Sequence, residues 1–283
     1  VGMSNFKSIS YEQFYLPTED LLRHMVKANK KTNITLSPES HDIRISSLAG
    51  RGVYSNDELE IWLEKALEIG INQVDIWYFV GMPEQDKRSV METVEYCQHL
   101  LDKFQGKPIH PLICPMIPYL DPGSNFFEQP RKYGYKLFYK SLEDHRCGME
   151  RASIINRINY ETEWLSREDI VYSGYEAVRS LMTAKAEIGI LPRSWVSRYN
   201  TDIDDAMDFI RVVHEVDCID DEIDRSKEFE NIGEDILRRN NMIFYSGVMN
   251  QSVPIKRNIG GRWFDKVGWE NKELEQITNQ ISH

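Results

Sequence analysis

The sequence predicts an α/β protein with a partial (β/α) barrel over residues 1–130 and a mostly helical region over residues 131–283. Short apolar runs alternate with segments of helical periodicity up to about residue 117, as in βαβ units. The run that starts at Gln73, QVDIWYFV, is apolar almost throughout, which is typical of a strand buried on both faces of a parallel sheet. From about Lys136 onward, helical periodicity dominates.

Each element of the first region has a local signal. A helix begins after Pro17, where two acidic residues favour the positive end of the helix dipole, and ends near Lys30. Ser55 and Glu58 have the spacing of a capping box, and Gly70 stands where a helix commonly ends. The spacing predicts strands at 33–36, 74–80 and 109–117 and further helices at 55–70 and 87–104.

In the second region the periodicity predicts helices at 136–147, 166–188, 202–216, 222–240 and 269–281, with Ser166 and Asp169 as a capping pair. Three strands are too few to close a barrel, and a sheet of that size would expose an edge. We therefore expect the chain to self-associate, or to cover this edge with residues 4–15 or with its C-terminal helices.

Composition limits the kind of partner. The chain has 45 acidic and 34 basic residues, a net charge of -11 and a pI near 5.2, which disfavours nucleic acid and anionic membranes. No apolar run approaches the roughly 20 residues that span a bilayer, so we expect a soluble, cytoplasmic protein. The four cysteines lack the short spacing typical of metal sites, so no metal ligand is predicted.

Three phrases at the strand–helix junctions resemble one family. They are LSPES at 36–40, GRGVYS at 50–55 and YFVGMPEQ at 78–85, and together they resemble the second half of a radical SAM core, a TIM-like partial barrel. The later phrases PMIPYLDPGS, FEQP, HRCGME and NYETEWLSR resemble a subgroup of uncharacterised radical SAM proteins that carry an N-terminal cobalamin-binding domain. This resemblance covers about residues 30–190.

The resemblance implies S-adenosylmethionine and a [4Fe–4S] cluster as cofactors, and it raises cobalamin as a third in the full-length protein. Ser37 and Glu39 match the motif that binds the ribose hydroxyls, a task that suits a carboxylate because it accepts two hydrogen bonds. Arg51 matches an arginine that pairs with the methionyl carboxylate. This small-molecule cofactor is the predicted partner, and the substrate stays unassigned.

The adenine side of the implied site follows the next two strands. Phe79, Gly81 and Glu84 match the GxIxGxxE-like motif after the fifth strand of the family's barrel, although Trp77 stands where the motif has its first glycine. Ile117 would line the adenine pocket at the end of the last strand. The resemblance therefore implies a nucleoside pocket between neighbouring strand ends.

The family's cluster-binding CxxxCxxC loop does not occur in the sequence. Without three thiolates no cluster can form, so we expect this chain to be the C-terminal portion of a longer enzyme and to be inactive alone. Catalytic residues are accordingly not assigned. The alternative is a non-catalytic, partner-binding protein with a degenerate partial barrel.

Three further side chains could take part in chemistry, but a structural role is the simpler interpretation of each. His41 and His145 could act as acid–base groups on a substrate, but each is more often a structural or surface histidine. Cys114, in the last predicted strand, could quench a radical, but a buried and inert thiol is the stronger expectation.

Overall fold

A computed structural model of the chain describes residues 6–51, 54–115 and 120–233. The elements in chain order are β1 (Ile9–Gln13), α1 (Glu19–Ala28), β2 (Thr32–Glu39), α2 (Ile43–Leu48), α3 (Asn56–Ile69), β3 (Gln73–Val80), α4 (Lys87–Lys103), β4 (Ile109–Pro115), α5 (Asn125–Glu128), a 3₁₀ turn (Pro130–Tyr133), β5 (Tyr135–Leu137), α6 (Leu142–Met149), α7 (Ile154–Arg157), β6 (Tyr160–Thr162), α8 (Arg167–Glu187) and α9 (Arg193–Asp217). A further helix occupies residues 222–233.

The main sheet has four parallel strands in the order β1-β2-β3-β4. The α/β class and the parallel sheet are therefore confirmed. The sequence predicts three of these strands, and β1 is the addition. It lies within residues 4–15, the segment expected to cover the sheet edge, and it does so by pairing with β2.

One face of the sheet is apolar and carries the helices. Ile34, Leu36, Val74 and Ile76 are fully buried on this face. Helix α1 contacts α3, Lys103 of α4 donates a 2.9 Å hydrogen bond to Glu60 Oε2 of α3, and α4 contacts α8. The helices α1, α3, α4 and α8 thus follow one another in a single layer.

The opposite face is more polar. Strand register aligns Glu12, Thr35, Asp75 and His110 in one row across the sheet. Successive side chains of a strand point to opposite faces, so this row lies away from the apolar layer. The two faces of the sheet are therefore chemically distinct.

Helix α8 covers the open edge of β4. Ser166 and Asp169 form the predicted capping box at its start. Near its end, Lys185 is buried and its Nζ donates a 3.0 Å hydrogen bond to the backbone oxygen of Pro111 in β4. A lysine thereby satisfies a carbonyl at an edge that no strand pairs within the described residues.

The second region differs from its prediction at its start, in the unpredicted α7 and β6, and in α9, which begins at Arg193. The helix predicted at 136–147 is wrong in its first part, because 135–137 is strand β5, antiparallel to β6, and the helix α6 starts at Leu142. The prediction at 166–188 is confirmed by α8, and 202–216 lies within α9. The helix predicted at 222–240 is described to residue 233, whereas 269–281 lies outside the described residues.

Within the part of the chain that the structure describes, no helix combines the length and the apolar character needed to cross a membrane.

Candidate functional site

The candidate site lies at the carboxyl edge of the main sheet. Glu39 is the last residue of β2, and Gly81 directly follows the neighbouring strand β3. Both have a positive φ, 70° for Glu39 and 104° for Gly81. Glycine adopts such angles freely, whereas a glutamate there is strained and is worth examining for a function.

Glu39 forms an ion pair with Arg51. Arg51 Nε lies 3.0 Å from Glu39 Oε1, with side-chain exposures of 27% and 12%, so the pair is partly buried. The guanidinium also stacks on Phe14, which follows β1, with 3.8 Å between Arg51 Cζ and the ring centroid. Burial raises the pKa of Glu39, and Arg51 opposes that rise. Among the described residues, Glu39 Oε2 has no hydrogen-bond partner.

Tyr54 brings a second unsatisfied polar atom to the same place. Its hydroxyl is buried and has no hydrogen-bond partner among the described residues. Burial first, and then the nearby charge of Glu39, raise the pKa of Tyr54 to about 12. Buried polar atoms are nearly always hydrogen-bonded, so this unsatisfied hydroxyl near the Glu39 carboxylate indicates space for a polar ligand.

The turn after β3 is held by Gln85, a residue that sequence reasoning missed. Gln85 Oε1 accepts hydrogen bonds from the backbone nitrogens of Gly81 and Met82, at 2.8 and 3.2 Å. Its Nε2 donates to the backbone oxygen of Phe79 at 3.0 Å. These bonds fix the path of the turn without any ligand.

The small β5–β6 sheet packs against this turn. Tyr135 Oη donates a 2.9 Å hydrogen bond to the backbone oxygen of Gly81. A Cβ atom at Gly81 would lie 2.5 Å from Tyr160 Oη. Glycine is therefore required at position 81 by its φ angle and by the packing of Tyr160, a reason additional to the one that the resemblance implies.

The remaining predicted residues divide into two groups. Ser37 is buried near the end of β2, and Phe79 of β3 lies half-buried opposite Cys114 of β4. Glu84 instead forms an ion pair with Arg44 of α2, and its side chain is more exposed. Ile117 lies outside the described residues. Among these residues the structure shows a side-chain contact only between Glu39 and Arg51, while Ser37, Phe79 and Gly81 lie at or near the ends of the neighbouring strands β2 and β3.

The two histidines have structural partners. His41 Nδ1 lies 2.9 Å from Thr93 Oγ1 of α4, and burial lowers the pKa of His41, which favours the neutral ring. His145 Nδ1 lies 2.8 Å from the backbone oxygen of Ser141, and its Nε2 lies 3.0 Å from Asn159 Nδ2. These contacts anchor both rings within the fold.

Cys114 is a protonated thiol in this environment. Burial, followed by the charge of Glu39, raises its pKa to about 12. A thiol in that state is a poor nucleophile and metal ligand. Across residues 6–51, 54–115 and 120–233, no three or more His, Cys, Asp or Glu side chains are grouped so that they could hold a metal ion.

Comparison of the chain with models of known protein families gave no match, and comparison with curated proteins gave none either.

Proposed function

We propose that this chain forms the ribose and adenine side of an S-adenosylmethionine site in the partial (β/α) barrel of a radical SAM enzyme. The observation that carries the proposal is the buried Tyr54 hydroxyl, which has no hydrogen-bond partner among the described residues and which interacts with Glu39, the last residue of β2 at the carboxyl edge of the sheet. When bound, the cofactor would supply a 5′-deoxyadenosyl radical. The [4Fe–4S] cluster of the enzyme would take its ligands from outside these 283 residues.

The order of the strands supports a barrel-type sheet. Each strand lies beside its neighbour in sequence, and the helices α1, α3, α4 and α8 follow one another in one layer. In a doubly wound sheet the order reverses at a switch point and helices cover both faces, whereas barrels keep sequential order with helices outside. In barrels the ligand binds at the carboxyl ends of the strands, which is where Glu39 lies.

The chemistry at this edge suits a nucleoside. An ionised carboxylate accepts hydrogen bonds from two adjacent hydroxyls, as a ribose diol would offer, and a tyrosine hydroxyl can donate or accept. Phe79, half-buried at the end of β3, provides apolar surface for a base. Arg51 positions Glu39 and remains a cation beside it for the methionyl carboxylate.

Binding of two nucleosides tests the proposal. We expect adenosine to bind the chain more tightly than 2′,3′-dideoxyadenosine by about tenfold or more, because hydrogen bonds to a charged group contribute roughly 1.5–3 kcal/mol. Glu39→Gln should remove most of this difference. Glu64→Gln, which changes an exposed carboxylate on α3, is the matched control and should keep it. Isothermal titration calorimetry measures all six affinities, two nucleosides with each of the three proteins.

Two results would contradict the proposal. One is equal affinity of the parent chain for the two nucleosides, or no binding of adenosine. The other is a Glu39→Gln variant that discriminates between them as well as the Glu64→Gln variant does.

A further inference from the structure

A second cleft lies in the helical region, apart from the main sheet. It has a volume of about 410 Å³ and is bounded by the segment after β5, the residues just before α7 and α7 itself, the start of α8, the end of α9 and the helix at 222–233. Three arginines from three different segments line it, Arg151, Arg167 and Arg225. None of its lining residues belongs to the proposed nucleoside site.

One side of this arginine cleft is an ion pair in which the carboxylate is buried. Arg151 Nε lies 3.1 and 3.2 Å from the two carboxylate oxygens of Asp217, whose side chain is only 4% exposed. Asn156 Nδ2 donates a 2.6 Å hydrogen bond to the same carboxylate, and the backbone nitrogen of Ser153 a longer one of 3.4 Å. Asp217 is thereby satisfied, and its charge is largely balanced by Arg151.

The other two arginines lack a carboxylate partner within the described ranges. Arg167 stacks on Phe138, with 3.9 Å between Cζ and the ring centroid, and its Nη1 lies 3.5 Å from the backbone oxygen of Asn156. Arg225 Nη1 donates a 2.9 Å hydrogen bond to the backbone oxygen of Ile219. A guanidinium has five N–H donors, so most of the donors of Arg167 and Arg225 are unused by the described part of the chain.

The charge balance of the cleft is opposite to that of the whole protein. The chain carries a net charge of -11, yet the residues that line the cleft include three arginines and two carboxylates, Asp217, which is paired with Arg151, and Asp220, which is exposed and screened by water. Guanidinium groups stay charged at any ordinary pH and match the geometry of phosphate oxygens. Two of them balance the charge of a phosphate dianion better than that of a single carboxylate.

We propose that the arginine cleft binds a phosphate monoester, with its phosphoryl group between Arg167 and Arg225 and its organic group against Phe138 and Tyr139. The stacking of Arg167 on Phe138 and the hydrogen bond from Arg225 hold the two cations in place before a ligand arrives. Such preorganisation lowers the entropic cost of binding.

Phenyl phosphate is the probe that we would use, with benzoate as its control, because both carry a phenyl ring and they differ in charge and geometry. We expect calorimetry to show binding of phenyl phosphate and at least about tenfold weaker binding of benzoate. Arg167→Gln and Arg225→Gln should each weaken phenyl phosphate binding by about tenfold or more. Arg211→Gln, at an exposed arginine of α9, should leave it unchanged.

Alkylation of two cysteines shows where the ligand binds in the unsubstituted protein. Cys218 is exposed and lines the cleft, whereas Cys147 is exposed and does not line it. Phenyl phosphate should slow the alkylation of Cys218 by iodoacetamide several-fold and leave Cys147 unaffected, as measured by mass spectrometry of the peptides.

The proposal is overturned if phenyl phosphate does not bind, if benzoate binds equally well, or if the two thiols are protected to the same extent. It is also overturned if folded Arg167→Gln and Arg225→Gln variants bind phenyl phosphate like the parent. Phenyl phosphate has no ribose, so these outcomes are independent of nucleoside binding at Glu39.

Discussion

Gly81 and Gly70 have nearly the same φ, 104° and 106°, in different surroundings. A Cβ atom at Gly70 would meet Val26 Cγ1 at an ordinary 3.7 Å, whereas one at Gly81 would lie 2.5 Å from Tyr160 Oη. Both substitutions to alanine carry the cost of a positive φ, roughly 1–2 kcal/mol. Gly81→Ala should cost about 1–3 kcal/mol more than Gly70→Ala, because the buried Tyr160 must shift. Chemical denaturation of the two variants measures the difference.

The same comparison in a Tyr160→Phe background identifies the cause. Removal of the hydroxyl takes away the 2.5 Å contact and leaves ring carbons at 3.3 Å, so the gap between the two alanine variants should shrink. An unchanged gap would mean that strain elsewhere in the turn, and not Tyr160, makes Gly81 necessary.

At the level of single residues, the sequence predicts which residues lie at the ends of the main-sheet strands. It does not predict which residues of the β5–β6 sheet contact them. Glu39 and Gly81 could be placed at one edge because they follow neighbouring parallel strands. Tyr135 and Tyr160 reach the same turn from the β5–β6 sheet. No local pattern encodes that contact, so the competing reason for a glycine at position 81 could not be predicted.

The elements of the first region were predictable where their signals are local. The capping box of α3 and the left-handed Gly70 at its end both follow the predicted pattern. Strand β1 was missed because Ile9–Gln13 is a short edge strand with exposed polar residues. Strand β5 was missed because Tyr135–Leu137 is stabilised by pairing with residues of β6, a contact that is distant in sequence.

The contact between α8 and β4 predicts a specific pH dependence of stability. Burial lowers the pKa of Lys185 to about 8, partly offset by its interactions with Cys97 on α4 and Asp75 on β3. The unfolded value is about 10.4, so between these values the folded protein binds fewer protons and stability rises with pH. Below pH 8 the full cost of burying the ammonium group is present.

The effect of Lys185→Met on the free energy of unfolding should therefore be more favourable near neutral pH than at high pH. Relative to the parent, its free energy of unfolding should fall by up to about 3 kcal/mol between roughly pH 7.5 and 10.5. His110 and Asp75 also interact with Lys185, and because their pKa values of about 4 and about 6 lie below this pH range, the change across it reports mainly on the lysine. Urea denaturation at several pH values measures it, and Lys27→Met at an exposed site is the control. A difference that stays constant with pH would contradict the assigned cause.

Over the whole molecule, one hydrophobic cluster runs through both predicted regions. It includes Ile34 and Val94 of the sheet and its helix layer, and Leu181 and Ile210 of α8 and α9. The helices α8 and α9 also contact each other, and α8 contacts both α4 and β4. A shared core favours a single cooperative transition over independent unfolding of the two regions.

Two tryptophans report on the two regions separately. Trp77 lies in β3 and Trp195 lies in α9. Two variants, each of which keeps one of these and has phenylalanine in place of the other five of the six tryptophans, isolate the fluorescence of each region. We expect both variants to unfold at the same urea concentration. Leu181→Ala removes a side chain that is 3% exposed and should cost about 2–5 kcal/mol, lowering both midpoints equally. Leu142→Ala, at an 88% exposed site, should leave both unchanged. If Leu181→Ala lowered the Trp195 midpoint and not that of Trp77, the sheet and the helical region would be independent folding units.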